Sequence, residues 1–141
     1  MTKRQIDLFP NFSHGEIIKA GGKLSGIDFR AFAKLQNFRT AINRRVKFQK
    51  NGINSGKHNS KEHDDGKAFD IRFDKRDGVV KFTDVNGYVK AALTVGFKGI
   101  GVYWNGTEYS MHLDDGKTLD WWSAHKINRK WAYLAFLQDP R

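Results

Sequence analysis

Residues Ser60 to Phe73 read SKEHDDGKAFDIRF, and within them the apolar pattern switches to the period that decides the fold. From Lys67 onward Phe69, Ile71 and Phe73 fall on one side of an extended chain, while Ala68, Asp70 and Arg72 fall on the other. The stretch predicts a strand with an apolar back and a polar front. Asp70 stands on the front. Gly66 marks a tight turn just before the strand, and His63 lies across that turn, seven residues from Asp70.

Downstream, Asp77-Gly78 is a turn signal and predicts a hairpin into Val79 to Phe82. A helix is expected over about Val85 to Val95, capped by Thr83 or Asp84 and ended by Gly96. Gly99 to Trp104 and Thr107 to Asp114 then flank Asn105-Gly106, the strongest two-residue hairpin signal. In that register Ile100, Val102 and Trp104 share a face with Tyr109, Met111 and Leu113. The other face carries Glu108, Ser110, His112 and Asp114, opposite Tyr103, Gly101 and Gly99. His112 thus faces glycines, which leave room for a substrate. Trp121 and Trp122 follow, as core or as groove lining, and Ile127, Trp131 and Leu134 predict a closing helix over about Ala124 to Leu137.

Upstream, Asn54 to Ser60 is dense in turn formers, and a loop from Ile53 to Glu62 is expected to wall a cleft. Ile27, Ala31, Leu35, Phe38 and Ile42 recur on one helical face and predict a helix over about Asp28 to Asn43. Ser13 and Glu16 form a capping box, with Phe12 and Ile17 at staple positions, so a short helix should run from about His14 to Ala20. The whole reads as one α+β domain over residues 1–141: a small antiparallel sheet with helices packed on its apolar face.

Composition narrows the chemistry. The chain has no cysteine, which removes disulfides, thiolate metal sites and cysteine nucleophiles, so any metal must be held by His, Asp or Glu. It has no apolar run of membrane-spanning length and no signal peptide over Met1 to Pro10, so the expectation is a monomer made in the cytoplasm. Net charge is +10, but the basic residues are scattered, only Arg44 to Lys50 resembling a cluster, and no nucleic-acid-binding motif accompanies them. General attraction to an anionic surface such as a bacterial envelope fits the charge as well as a nucleic acid does.

A hydrolytic zinc site takes three protein ligands and leaves a position open for water. His63, Asp70 and His112 supply such a set, from a turn, a strand and a hairpin. Bound water would become a hydroxide-like nucleophile, and the reaction class would be amide hydrolysis. Two histidines and a carboxylate also describe iron(II) oxygenases, and His112, Asp114 and His125 could be drawn as such a triad.

The run HDDGKAFDI resembles the first metal motif of the zinc D-Ala-D-Ala carboxypeptidase family, and GFKGIGVYWNGTEYSMHLDDG resembles the second motif of its small-domain branch. LQNFRTAI followed by INSG, and FSHGEII, are similar to the helices and Ser-Gly strand that precede them, so the resemblance runs from about Phe12 to Trp122. It implies a Hedgehog/DD-peptidase-like fold, Zn2+ on His63, Asp70 and His112, and cleavage of peptide bonds in bacterial peptidoglycan stems or crosslinks. Small basic members without a signal resemble phage endolysins, which reach the wall through a lysis route, or virion components. Two positions depart from the family's pattern. Where members carry an arginine after Ser-Gly, this chain has Lys57 and His58 after Ser55-Gly56, so Ser55, Lys57 and His58, with Tyr103 across the cleft, are the expected substrate-binding residues. Where many carry an acid or a histidine shortly before the second metal histidine as general base, this chain has Tyr109 and Ser110. Asp114 is therefore the first expected base and Glu108 the second, with a second-shell role on a ligand the other reading of Asp114. The rival function is a non-catalytic wall-binding or virion structural module on the same fold.

Overall fold

The computed structural model describes residues 1–56, 58 and 61–134. Among these are five helices, α1 Lys3–Ile6, α2 His14–Lys19, α3 Phe29–Ile42, α4 Lys61–Asp64 and α5 Phe82–Thr94. Six strands, β1 Val46–Phe48, β2 Ala68–Phe73, β3 Gly99–Trp104, β4 Tyr109–Asp114, β5 Asp120–Ile127 and β6 Lys130–Leu134, form one sheet in the order β1-β2-β4-β3-β5-β6. The class is α+β. No helix among the described residues is long and apolar enough to cross a membrane.

Local chemistry sets the helix ends. Ser13 Oγ accepts from Glu16 N while Glu16 Oε2 accepts from Ser13 N, which closes both halves of the capping box on α2. Asp28 caps α3 by accepting from Ala31 N, and Asn43 ends it in the left-handed region at φ 48. α5 begins earlier than expected, because Lys81 N donates to Asp84 Oδ2, so Asp84 lies inside the first turn instead of capping it. The hairpin expected after Asp77-Gly78 does not form: Lys75–Asp77 is a tight turn, Asp74 accepts from Arg76 N, and the chain passes through Val79 and Val80 directly into α5.

Phe69, Ile71 and Phe73 turn to the core with Ile100 and Val102 of β3 and Tyr109, Met111 and Leu113 of β4, as the period-two pattern requires. Phe32 of α3 is fully buried, and its ring centroid lies 5.0–5.7 Å from those of Phe9, Phe12 and Phe69, so one residue ties the N-terminal segment to the sheet. The polar front of the sheet is left for other work.

Two expectations about the sheet are corrected. The sheet is mixed, since β5 runs parallel to β3. Residues 115–119 carry the chain from the end of β4 across the start of β3, held where Lys98 N donates to Asp114 O and Asp120 N to Lys98 O. A short connection suffices because β5 is antiparallel to β4 with β3 between them. The closing helix is likewise absent over the described residues: Asp120–Ile127 and Lys130–Leu134 pair as a hairpin, and the expected helix's last residues lie outside the described ones. The turn is Asn128-Arg129, both at positive φ, 49 and 64, the conformation of a two-residue type I′ hairpin. Arg129 takes a left-handed backbone that costs a side-chain-bearing residue about 1 kcal/mol. Arg129→Gly should therefore raise the unfolding free energy in urea by about 1 kcal/mol.

Asp74, almost fully buried at the end of β2, accepts from Arg76 Nε and Nη2 at 3.0 and 2.7 Å, with Lys47 Nζ 3.5 Å away. Those Arg76 hydrogen bonds hold its carboxyl well below its ordinary 3.8. A depressed folded value stabilises the fold above the unfolded value and is lost as pH falls toward the folded one. Asp74→Asn should lower the thermal midpoint at neutral pH, the gap to wild type closing as pH drops below 3.8.

Candidate metal centre

Asp70 and His112 are paired residues of β2 and β4, so their side chains rise side by side from the front of the sheet. The backbone under Asp70 is clamped. Asp70 N donates to Gly52 O at 2.7 Å and Gln49 N donates to Asp70 O at 2.9 Å, and a Cβ on Gly52 would stand 2.8 Å from that carbonyl oxygen. His63 arrives from the other side, on α4, where a tight turn without a helix was expected. Gly66 makes this approach possible: it sits at φ 68, packed so closely on the Gly26 carbonyl that any Cβ would collide, while Asp28 N donates to its oxygen at 3.0 Å.

The two rings are oriented by what they do on their far sides. His63 Nδ1 lies 2.6 Å from the Ile53 carbonyl oxygen, which can only accept, so Nδ1 carries the proton and Nε2 presents a lone pair. His112 Nε2 donates to Asp114 Oδ2 at 2.8 Å, which turns Nδ1 inward. His63 Nε2 is 3.3 Å from His112 Nδ1 and 3.3 Å from Asp70 Oδ2, and His112 Nδ1 is 2.9 Å from Asp70 Oδ1. His63 Nε2, His112 Nδ1 and the two Asp70 oxygens thus meet in one small space. His63 is 2 % exposed and His112 7 %, so water cannot easily solvate them.

Charge follows from this crowding. Burial opposes ionisation of Asp70, yet the hydrogen bond from His112 and the nearness of the His63 ring outweigh it and hold the carboxyl well below the usual range. Burial likewise works against a charge on His112, but its hydrogen bonds to Asp114 and Asp70 push its pKa up to about 9. Asp114 is also held low, burial being outweighed by His112 and by Gly116 N, which donates to its Oδ1 at 2.8 Å. The cluster is built to hold a positive charge. His58, His63 and Asp70 also bring one donor atom each within 4.8 Å of one another, a group able to hold a metal ion. The His58 ring stacks on that of His63, centroids 3.8 Å apart, with its Nε2 2.7 Å from the Ser55 carbonyl oxygen.

These residues line a cavity of about 580 Å³, together with Gln49, Glu62, Tyr103, Asp120, Trp122, Trp131 and Tyr133. His58 and Glu62 put the segment expected as a cleft wall in that place. Of the other expected site residues, Tyr103 lines the cavity, Ser55 contributes its carbonyl to His58, and Lys57 lies outside the described residues. Asp114 has both oxygens hydrogen-bonded, to His112 and Gly116. Glu108 is not brought to the centre: it lines a separate cavity with Arg44 and Lys75, whose Nζ is 3.8 Å from its carboxylate. His125 pairs with Trp104 on the core face of the sheet, so no triad with His112 and Asp114 forms.

The space expected over Gly99 and Gly101 is already filled. A Cβ on Gly101 would come within 2.6 Å of the Trp122 indole, and one on Gly99 would collide with the Asp114 carboxylate. The glycines admit the chain's own side chains. Trp122, open from the sequence as core or groove lining, lines the cavity, whereas Trp131, Tyr133 and the Glu62 carboxylate were missed, although Glu62 directly precedes His63.

No protein-family profile, curated protein or solved structure compared with the chain matches it. The site therefore rests on its own geometry. A carboxylate that orients a metal-binding histidine is worth about 10–100-fold in affinity. For a metal ion held by His112, Asp114→Asn should weaken binding by about that factor, read with added zinc in competition with a chromophoric chelator, with the far-ultraviolet circular dichroism unchanged.

Proposed function

We propose that the chain is a zinc-dependent peptidase that hydrolyses peptide bonds in bacterial peptidoglycan. The observation that carries the reading is the convergence of His63 Nε2, Asp70 and His112 Nδ1, each fixed from behind, the Nδ1 proton that His112 gives to Asp70 being the one a bound metal ion would displace. Donor atoms around a tetrahedral ion with bonds of about 2.0–2.1 Å stand about 3.3–3.4 Å apart. Here the two histidine nitrogens stand 3.3 Å apart, and Asp70 reaches them through different oxygens, Oδ2 at 3.3 Å from His63 Nε2 and Oδ1 at 2.9 Å from His112 Nδ1. Imidazole and carboxylate donors, with no thiolate in the chain, suit zinc.

His112 is the third ligand in this reading, and His58 is a cover. An imidazole coordinates in its own plane, and the His58 plane is only 14° from that of His63, so it runs alongside the point at which His63 aims. The HDDGKAFDI and YSMHLDDG motifs, with their resemblance to the D-Ala-D-Ala carboxypeptidase family, point to the same three ligands, and the α+β class is compatible with a Hedgehog/DD-peptidase-like arrangement. The chain's net charge of +10 suits an anionic envelope, reached through a phage-type lysis route or as part of a virion.

Bound zinc would supply an acidified water and a polarised carbonyl. The chain's own groups then divide the remaining tasks. Asp114 orients His112. Glu62, whose carboxylate makes no hydrogen bond or ion pair among the described residues, takes the proton from the attacking water and returns it to the leaving amine as the C–N bond breaks. Its Oε1 and Asp114 Oδ1 flank the same spot, 3.2 and 2.8 Å from a Cβ built on Gly116. Burial pushes the Tyr103 hydroxyl up to about 12, so it keeps its proton at neutral pH and can donate to a substrate carbonyl.

Digestion of purified muropeptides, followed by mass spectrometry, should reveal new amino termini that vanish with a chelator or with His63→Ala. Zinc binding without cleavage would instead make the chain a non-catalytic wall-binding module. Glu62→Gln should lower kcat by about 10²–10⁴ with zinc content unchanged. Full activity in Glu62→Gln, with kcat lost in zinc-loaded Asp114→Asn, would move the proton-transfer role to Asp114.

A further inference from the structure

We infer that the β5–β6 hairpin builds a sugar-binding floor beside the metal group, which seats a hexosamine ring of the glycan strand while the attached peptide reaches the metal; this rests on the peptidase reading above. The floor starts at a ligand. The Trp122 ring lies 5.3 Å from that of His112, and its Nε1 donates to Tyr103 Oη at 2.7 Å. The Tyr103 ring meets Trp131 edge-on at 5.2 Å. Tyr133 pairs with Ala124, which stands beside Tyr103, so it extends the same face of the sheet. All four rings line the cavity that holds His63, Asp70 and His112.

Packing does not account for these rings. None belongs to the buried apolar core, and Trp131 is 41 % and Tyr133 67 % exposed. Large aromatic surface kept in contact with water next to a polar cleft marks a place where something binds. The peptide part of peptidoglycan offers small or charged side chains with no face of aromatic size. Its sugars offer a flat face of C–H groups rimmed by hydroxyls and acetamides. Aromatic rings with polar edges match that pattern: Tyr133, two-thirds exposed, carries a hydroxyl, and Lys126 Nζ lies 5.7 Å from the Trp131 ring centre as a further donor.

Two measurements test the floor. In the first, kcat/KM is compared for a stem peptide and for the same peptide carrying its disaccharide. Wild type should favour the glycosylated substrate about tenfold, the worth of one ring stacked on an aromatic face. Trp131→Ala combined with Tyr133→Ala should bring the ratio to about one, whereas Trp131→Phe should keep most of it. A wild-type ratio near one, or a double variant that slows both substrates alike, overturns the inference. The second measurement needs no catalysis: titration of the zinc-loaded protein with the N-acetylglucosamine–N-acetylmuramic acid disaccharide should give saturable quenching of tryptophan fluorescence that the double variant loses. Absence of such binding overturns the floor. Binding without cleavage of either substrate upholds it and removes the peptidase reading alone.

Discussion

The pairing of Asp70 with His112 across β2 and β4 is the constraint on which the site depends. A one-residue slip of β2 against β4 would turn Asp70 into the core, away from His112, and bring Phe69 to the front. The register is held because the back of the same strands is fully committed, with Phe69, Ile71, Met111 and Leu113 all buried. The hydrophobic core therefore does more than stabilise the sheet. It selects which atoms meet on the opposite face, and the third member, His63, needs only the Gly66 turn and the Ile53 carbonyl to join them.

Most of this was legible wherever a local signal had a single physical meaning. Ser13 with Glu16 and the apolar stripe after Asp28 each name one backbone geometry, and each is found. Asn105-Gly106 marks a hairpin that closes with a four-residue loop, Trp104 pairing with Tyr109, instead of the two-residue turn expected. The final hairpin was not legible for the same kind of reason. Ile127, Trp131 and Leu134 satisfy a helical period, and the turn that separates two strands is Asn128-Arg129, where arginine hides a left-handed position that glycine would have advertised. Short apolar segments are ambiguous by period alone, and only pairing with β3 resolves this one.

At the site, residue types and spacing pointed to His63, Asp70 and His112, but could not say what lies behind each ring. That Asp114 grips His112 follows from two residues on one face of a strand, and was open as one of two readings. That His58 stacks on His63 depends on how the loop folds back, which no periodicity encodes. The glycines opposite the ligand strand were read correctly as space and wrongly as empty space. A glycine in a strand reports that something approaches, and the neighbouring strand that supplies it, β5, was the element misread as helix.

The distribution of charge gives these details a common logic. The chain as a whole carries +10, yet the cavity around His63 and His112 holds the carboxylates of Asp70, Asp114, Glu62 and Asp120. The net charge acts at the range of the Debye length, about 8 Å at physiological salt, and governs approach to a polyanionic surface. Within the cleft the nearest groups dominate, and there Asp70 and Asp114 are held ionised by the histidines they bracket. A cation would thus be favoured in this cleft, where the local charge opposes the net charge of the chain. Holding a cation there would not compete with long-range attraction between the net positive charge and an anionic surface, because the two act at different distances.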